Sequence, residues 1–380
     1  MSVSILGCSS YEENKVQEIV DRLLLNLGGI EKFIKSGENV VIKPNFIARK
    51  SPNDAATTNP ALLLAVTRAV MAIGAHVTIA ESPGGPYNPT ILKRLYETCG
   101  ASYVAEKTGC TLNYDTSYED IVYHGEVRRE FSIISPIVKA DKVISVAKLK
   151  THTMTCYTGA VKNLFGTIPG LYKAQYHLER SEKDSFCSML VDLCQYVNPC
   201  LSFIDAVVGM EGDGPTSGTP REIGAIMASA SPYELDLAAV HMVGIGDDEA
   251  LTVKESLKRG LTCPYDELDM TGDDIDKFAI TNFKRARGGE INFLKRMNLP
   301  AGLTKKLNRM ATARPVFDKK TCVGCGECAR CCPPKAIEIV DHFPQVDYES
   351  CIKCFCCQEL CPQKAVSAKR NFLFSKLFRI

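Results

Sequence analysis

Residues 321–333 read TCVGCGECARCCP, and residues 350–362 read SCIKCFCCQELCP. Each contains C-x2-C-x2-C-x3-C-P: Cys322, Cys325, Cys328 and Cys332 before Pro333, then Cys351, Cys354, Cys357 and Cys361 before Pro362. Ten of the chain's 18 cysteines lie in its last sixty residues. Thiolates at this spacing hold iron and inorganic sulfide. Val323, Ile352 and Phe355 stand between them and are expected to keep water away, a control on potential together with backbone hydrogen bonds to sulfur. A zinc site closes with two CxxC pairs and needs neither the third cysteine nor the Cys-Pro. Disulfides suit an exported domain, and no signal peptide opens the chain.

The repeated run is that of a bacterial two-cluster ferredoxin. In such runs the fourth cysteine ligates the other cluster. The resemblance implies one 4Fe–4S cluster on Cys322, Cys325, Cys328 and Cys361, and a second on Cys351, Cys354, Cys357 and Cys332. Cys331 and Cys356 fall outside the register and read as bystanders. The two halves repeat with an offset of 29 residues, Ala336-Ile337-Glu338-Ile339 answering Ala365-Val366-Ser367-Ala368. Each half is expected to be strand, cysteine loop, helical turn and strand. Residues 315–368 are thus predicted to form a small α+β domain carrying two clusters.

A chain of 380 residues exceeds such a module several-fold, so a second, large domain is required. Hydrophobic residues make up 45% of it, enough for a full core. No apolar run approaches the length of a membrane span. Many thiols without an export signal point to a reducing cytoplasm. Net charge is +1, unevenly spread: residues 284–314 carry nine Lys/Arg and one Glu, leaving residues 1–283 acidic. The basic stretch is predicted to be a helical linker packed on the acidic domain. It lacks the aromatic interleaving of a nucleic-acid site, so none is expected. The tail, 369–380, alternates basic and bulky apolar residues and is expected to fold back rather than touch a membrane.

Residues 1–283 alternate strand and helix patterns. Strands are predicted at 3–6, 39–43, 76–81, 142–147, 201–207 and 224–230. Helices are predicted at 12–27, 60–73, 91–99, 184–196 and 232–243. That rhythm predicts an α/β domain, a mostly parallel sheet with flanking helices. Ligands of such sheets bind at the carboxyl ends of the strands. Polar, glycine-containing segments fall there: Lys43-Pro44-Asn45, Glu81-Ser82-Pro83-Gly84-Gly85, residues 148–170 and residues 205–218. Lys43, Asn45, Lys150 and Gly159 are candidates for holding an anionic small molecule, with the helix start at Thr158-Gly159-Ala160 offering backbone N–H groups. Lys162, His152 and Glu211 are candidates for catalysis, Glu211 as a proton carrier. No GxGxxG follows the first strand, and no Walker A sequence is present.

Five phrases, VIKPN (41–45), ESPGG (81–85), KLKTH (148–152), TGAVKNLFG (158–166) and GMEGDGP (209–215), resemble an uncharacterised family. Its members carry a domain of unknown function often fused to a C-terminal double-cluster ferredoxin. The resemblance covers 1–260 and 315–365 and implies an iron–sulfur protein with an electron-transfer role. A remoter likeness, through His152, Gly159, Lys162 and Pro169-Gly170, is to the N-terminal domain of nickel-pincer lactate racemases; the fuller histidine set of such a site is missing. Three readings stay open. An oxidoreductase would pass electrons between a redox partner protein and a ligand in the α/β domain. A ferredoxin-like carrier would use that domain only for docking. A maturation factor would hand on a metal or cluster.

Overall fold

The computed structural model describes residues 2–287 and 312–370. Its strands are β1 (Val3–Gly7), β2 (Asn39–Pro44), β3 (His76–Ile79), β4 (Thr111–Leu112), β5 (Tyr118–Val122), β6 (Glu130–Ile134), β7 (Lys142–His152), β8 (Cys156–Thr158), β9 (Leu201–Glu211), β10 (Thr219–Ser229), β11 (Met270–Gly272), β12 (Arg314–Phe317), β13 (Ile337–Val340), β14 (Phe343–Val346) and β15 (Val366–Lys369). Nine of these described strands build one sheet, in the order β11-β1-β10-β9-β7-β2-β3-β4, with β8 folded back onto the end of β7. From β9 to β4 neighbours run parallel. β10 runs antiparallel to both of its neighbours.

Both faces of the sheet are covered, so its strands read as nearly continuous apolar runs. Along β2, Val40 and Ile42 pack into the core under helices Glu13–Asn26 and Pro60–Ala72, while Val41 packs into the opposite core. Helix starts are set locally. Asn59, Asn88 and Ser231 each accept a backbone N–H from the turn they open, and Pro60, Pro89 and Pro232 follow where no donor is needed.

The expectation for β7 was a strand ending at residue 147. It runs on through Lys148 and Lys150 to His152 and turns into a hairpin with β8. A strand interior with alternate buried cations defies hydrophobic patterning. It holds because Lys148 is paired with Asp205 at 3.0 Å and Lys150 donates to two oxygens.

The C-terminal module is a small strand-rich unit, β12 with β15 and β13 with β14, both antiparallel. Its two helical turns, Glu327–Arg330 and Cys356–Glu359, sit at equivalent places of the repeat, each preceded by a left-handed residue, Gly326 and Phe355. Of the basic linker, residues 284–287 are non-helical and pair with the acidic domain, Lys284 with Glu211 and Arg287 with Asp213. Residues 288–311, and tail residues 371–380, lie outside the described part.

Candidate functional site

The carboxyl ends of β2 and β7 and the loop after β3 converge on a cavity of about 80 Å³. The α/β side contributes Lys43, Asn45, Glu81, Lys150, His152, Lys162, Lys173 and His177. The opposite wall comes from the cysteine module: Cys331, Cys356, Glu359 and Leu360.

Lys43, fully buried, donates to Glu81 at 2.7 Å, to the Pro44 carbonyl at 2.5 Å and to Asn163 at 3.2 Å. Glu81 also accepts the N–H groups of Phe46 and Ser82. Burial pushes the lysine down and the carboxyl up, each opposed by the other's charge. Gly166 lets this pair lie flat against the 158–170 segment: a Cβ there would stand 2.5 Å from Lys43 Nζ. Lys150 donates to the Asn45 side chain and the Ala56 carbonyl, both at 2.6 Å. Burial, then the Lys162 charge, lowers it to about 7. Lys173 donates to Ser82, Pro83 and Ile168 oxygens, and burial lowers it also to about 7.

His152 Nδ1 accepts the N–H groups of Met154 and Thr155, so the neutral ring carries its proton on Nε2. Nε2 lies 3.0 Å from Glu359 Oε1, yet off the line a hydrogen bond requires, and both atoms stay unsatisfied. Burial, then Lys162, lowers His152 to about 4, so the imidazole is neutral near pH 7. Glu359 is an anion: burial would raise it, but His152 and the Lys162 charge prevail. Lys162 has no hydrogen-bond or ion-pair partner among the described residues, and its ammonium lies 5.8 Å from the Phe165 ring centre.

Five of the seven expected non-cysteine residues therefore meet at the cavity: Lys43, Asn45, Lys150, His152 and Lys162. Gly159 and Glu211 are not among its lining. The helix start at Gly159 is filled from within, because Asp236 accepts from the N–H groups of Ala160 at 2.6 Å and Val161 at 3.1 Å. Glu211 faces the linker, accepting the Lys284 N–H at 3.1 Å and pairing with its ammonium at 3.3 Å. Lys173, His177 and Glu359 went unnoticed in the sequence. Lys173 and His177 are four residues apart on helix Tyr172–Glu179, hence on one face, a legible signal. Glu359 carries none.

In the cysteine module, Cys322, Cys325, Cys328 and Cys361 line one small cavity with Pro362. Cys357 is buried and lies within electrostatic reach of Cys354, Cys331, Cys351 and Cys332. Cys332 and Cys361 accept the N–H groups of Ala336 and Ala365 at 3.2 and 3.3 Å, equivalent bonds in the two repeats that suit thiolate ligands. Among the described residues no three Cys, His, Asp or Glu side chains converge as a site for a single ion. A tetrahedral ion with metal–sulfur bonds of about 2.3 Å needs such convergence; a four-iron cube spreads its ligands. The residues present fit 4Fe–4S binding. The 351–357 side packs into a core shared with the α/β domain, whereas Cys325 is exposed.

A 4Fe–4S dicluster domain matches residues 314–362, and a domain of unknown function, DUF362, matches residues 40–241. The thylakoid-associated protein sll1697 of Synechocystis sp. (strain ATCC 27184 / PCC 6803 / Kazusa) is 30% identical over 290 residues, 74% of this chain and 87% of that protein. The lactate racemase apoprotein of Thermoanaerobacterium thermosaccharolyticum aligns with a TM-score of 0.41 and 15% identity, over 63% of this chain and 58% of its own. With the match to the large domain spanning just over half its length, and the dicluster match following it, this chain belongs to the DUF362 family and is an iron–sulfur member of it.

Proposed function

We propose that the protein is a cytoplasmic redox protein with two 4Fe–4S clusters, acting on an anionic small molecule held between its two domains. One observation carries this reading: a single cavity is walled on one side by Lys43, Lys150, Lys162 and Lys173, and on the other by Cys331, Cys356 and Glu359 beside the cluster cysteines. Cys322, Cys325, Cys328 and Cys361 would hold one cluster, and Cys351, Cys354, Cys357 and Cys332 the other. Bound there, the clusters supply one-electron transfer.

The chain's own residues divide the remaining work. Burial lowers Lys162 and the Glu359 charge opposes this; when protonated, it meets the anion without a hydrogen bond or ion pair of its own among the described residues. Lys150, near its midpoint at neutral pH, adds charge when protonated. His152 presents an Nε2–H donor with its ring fixed by two backbone bonds. Lys43 and Glu81 satisfy one another and hold Asn163 and Phe46 in place. The exposed Val323 and Cys325 mark the face where a redox partner protein would dock.

Iron and sulfide analysis of anaerobically purified protein tests the first half; two clusters give about eight of each per chain. Electron paramagnetic resonance of the reduced protein, with and without inorganic phosphate or a short-chain carboxylate, tests the second. A ligand-dependent change that disappears in Lys162→Ala supports the reading. Bound zinc without sulfide, or spectra indifferent to every anion tried, overturns it.

A further inference from the structure

We infer that the two cysteine sets have different duties. Cys332, Cys351, Cys354 and Cys357 hold the cluster that serves the cavity, across a wall formed by Cys331 and Cys356. Cys322, Cys325, Cys328 and Cys361 hold the one left to the redox partner. This division rests on the two-cluster, anion-binding reading above.

Burial separates the sets. Cys332, Cys354 and Cys357 are 7%, 8% and 6% exposed and share a core with Val161, Leu164 and Phe165 of the α/β domain. Cys325 is exposed, Cys322, Cys328 and Cys361 are half-buried, and Val323 beside them is 63% exposed. The outer four line their own small cavity, and Cys325 and Cys361 also border the groove toward Arg49. None of the eight ligands lines the lysine cavity; Cys331 and Cys356, the sequence neighbours of Cys332 and Cys357, do. Ahead of Cys361, the cavity is met instead by Leu360, packed against Gly84.

Cys331 and Cys356 fall outside the ligand register, and this wall gives them a part. Both are buried, and a thiol is small, nearly apolar and a weak S–H donor. Cys356 hydrogen-bonds Cys354, a ligand of the inner set. Cys331 donates to the Cys328 carbonyl at 3.5 Å and reaches Cys354 electrostatically. A hydrogen bond to a ligand sulfur eases the arrival of an electron and raises the potential. An anion in the cavity acts the other way, because its charge opposes the electron's. Reduction and anion binding are then linked: each tenfold loss of affinity on reduction lowers the midpoint by about 59 mV.

Anaerobic redox titration of the full-length, cluster-loaded protein, followed by electron paramagnetic resonance, tests this with inorganic phosphate and with acetate. Saturating anion is expected to lower one midpoint and leave the other nearly unmoved. Cys356→Ala should lower that same midpoint, and Cys356→Ser, which restores a donor, should return most of it. Val323→Asp, a charge added at the exposed face, should lower the other midpoint. Equal shifts of both midpoints by the anions, or a shift confined to the midpoint that Val323→Asp moves, overturns the division of duties alone. Loss of about half of the iron in Cys356→Ala would make that residue a ligand and overturn its place in the wall. Midpoints indifferent to both anions, in protein carrying about eight irons, overturn the anion reading itself.

Discussion

Lys150 bears on function through its proton. Its ordinary value is 10.5, and burial with the Lys162 charge holds it at about 7 in the fold. Between these values the unfolded chain binds a proton that the native chain lacks, so this residue's contribution to stability rises with pH from about 7 upward. Wild type should therefore gain on Lys150→Met by up to about 1.4 kcal/mol per pH unit above 7, read by urea denaturation at pH 7 and 9; a constant gap would contradict it. By the same proton, an anion of fixed charge should bind more tightly as pH falls through 7. Gly166 is a second point of leverage. A methyl group there drives into the Lys43–Glu81 pair, and Gly166→Ala should cost about 3 kcal/mol in denaturation experiments, as disrupted buried pairs do. The residues that sequence could place are those directly after apolar strands, such as Lys43 and Asn45. Gly159 could not be placed, because its occupant is Asp236, 77 positions away, and nothing local announces that carboxylate.

The order of the main strands and helices was legible because short apolar runs alternate with longer helical stretches, whereas β4, β5, β6, β8, β11 and the helices Ala101–Thr108, Tyr172–Glu179 and Leu251–Lys258 were not anticipated. The extension of β7 was not, since its lysines look like a loop until Asp205 and the Ala56 carbonyl are brought alongside. Asp236 shows a further element-scale dependence. It closes the start of helix Ala160–Asn163 from helix Pro232–Met242, and Asp236→Ala should leave two buried N–H groups unmet at a cost of about 2 kcal/mol. An unchanged denaturation midpoint would argue that water replaces it. For the repeat, crossed ligation makes a distinctive demand. Cys361→Ser should remove about half of the iron, the double variant with Cys322→Ser no more, and the double variant with Cys351→Ser nearly all. Additive losses in the first pair would refute the shared assignment.

At the scale of the molecule, the cysteine module is fastened by contacts that no local pattern foretells. Gln358 is fully buried and accepts from Thr153 at 3.0 Å, and Thr216 donates to the Glu359 carbonyl at 3.2 Å. Leu360 fits only because Gly84 has no side chain. Gly84→Leu should prise the module from its seat, abolishing anion binding while retaining its iron; intact binding in that variant would show that the seat is dispensable. Sequence named both domains and missed their docking, because polar and glycine contacts of this kind acquire meaning only once partners are neighbours. Neither half of the chain encloses the chamber by itself. Filling it and holding the halves together are thus linked equilibria, and each must strengthen the other by the same factor. A small guest would serve as a clasp, and loosening the clasp would release both the guest and the grip.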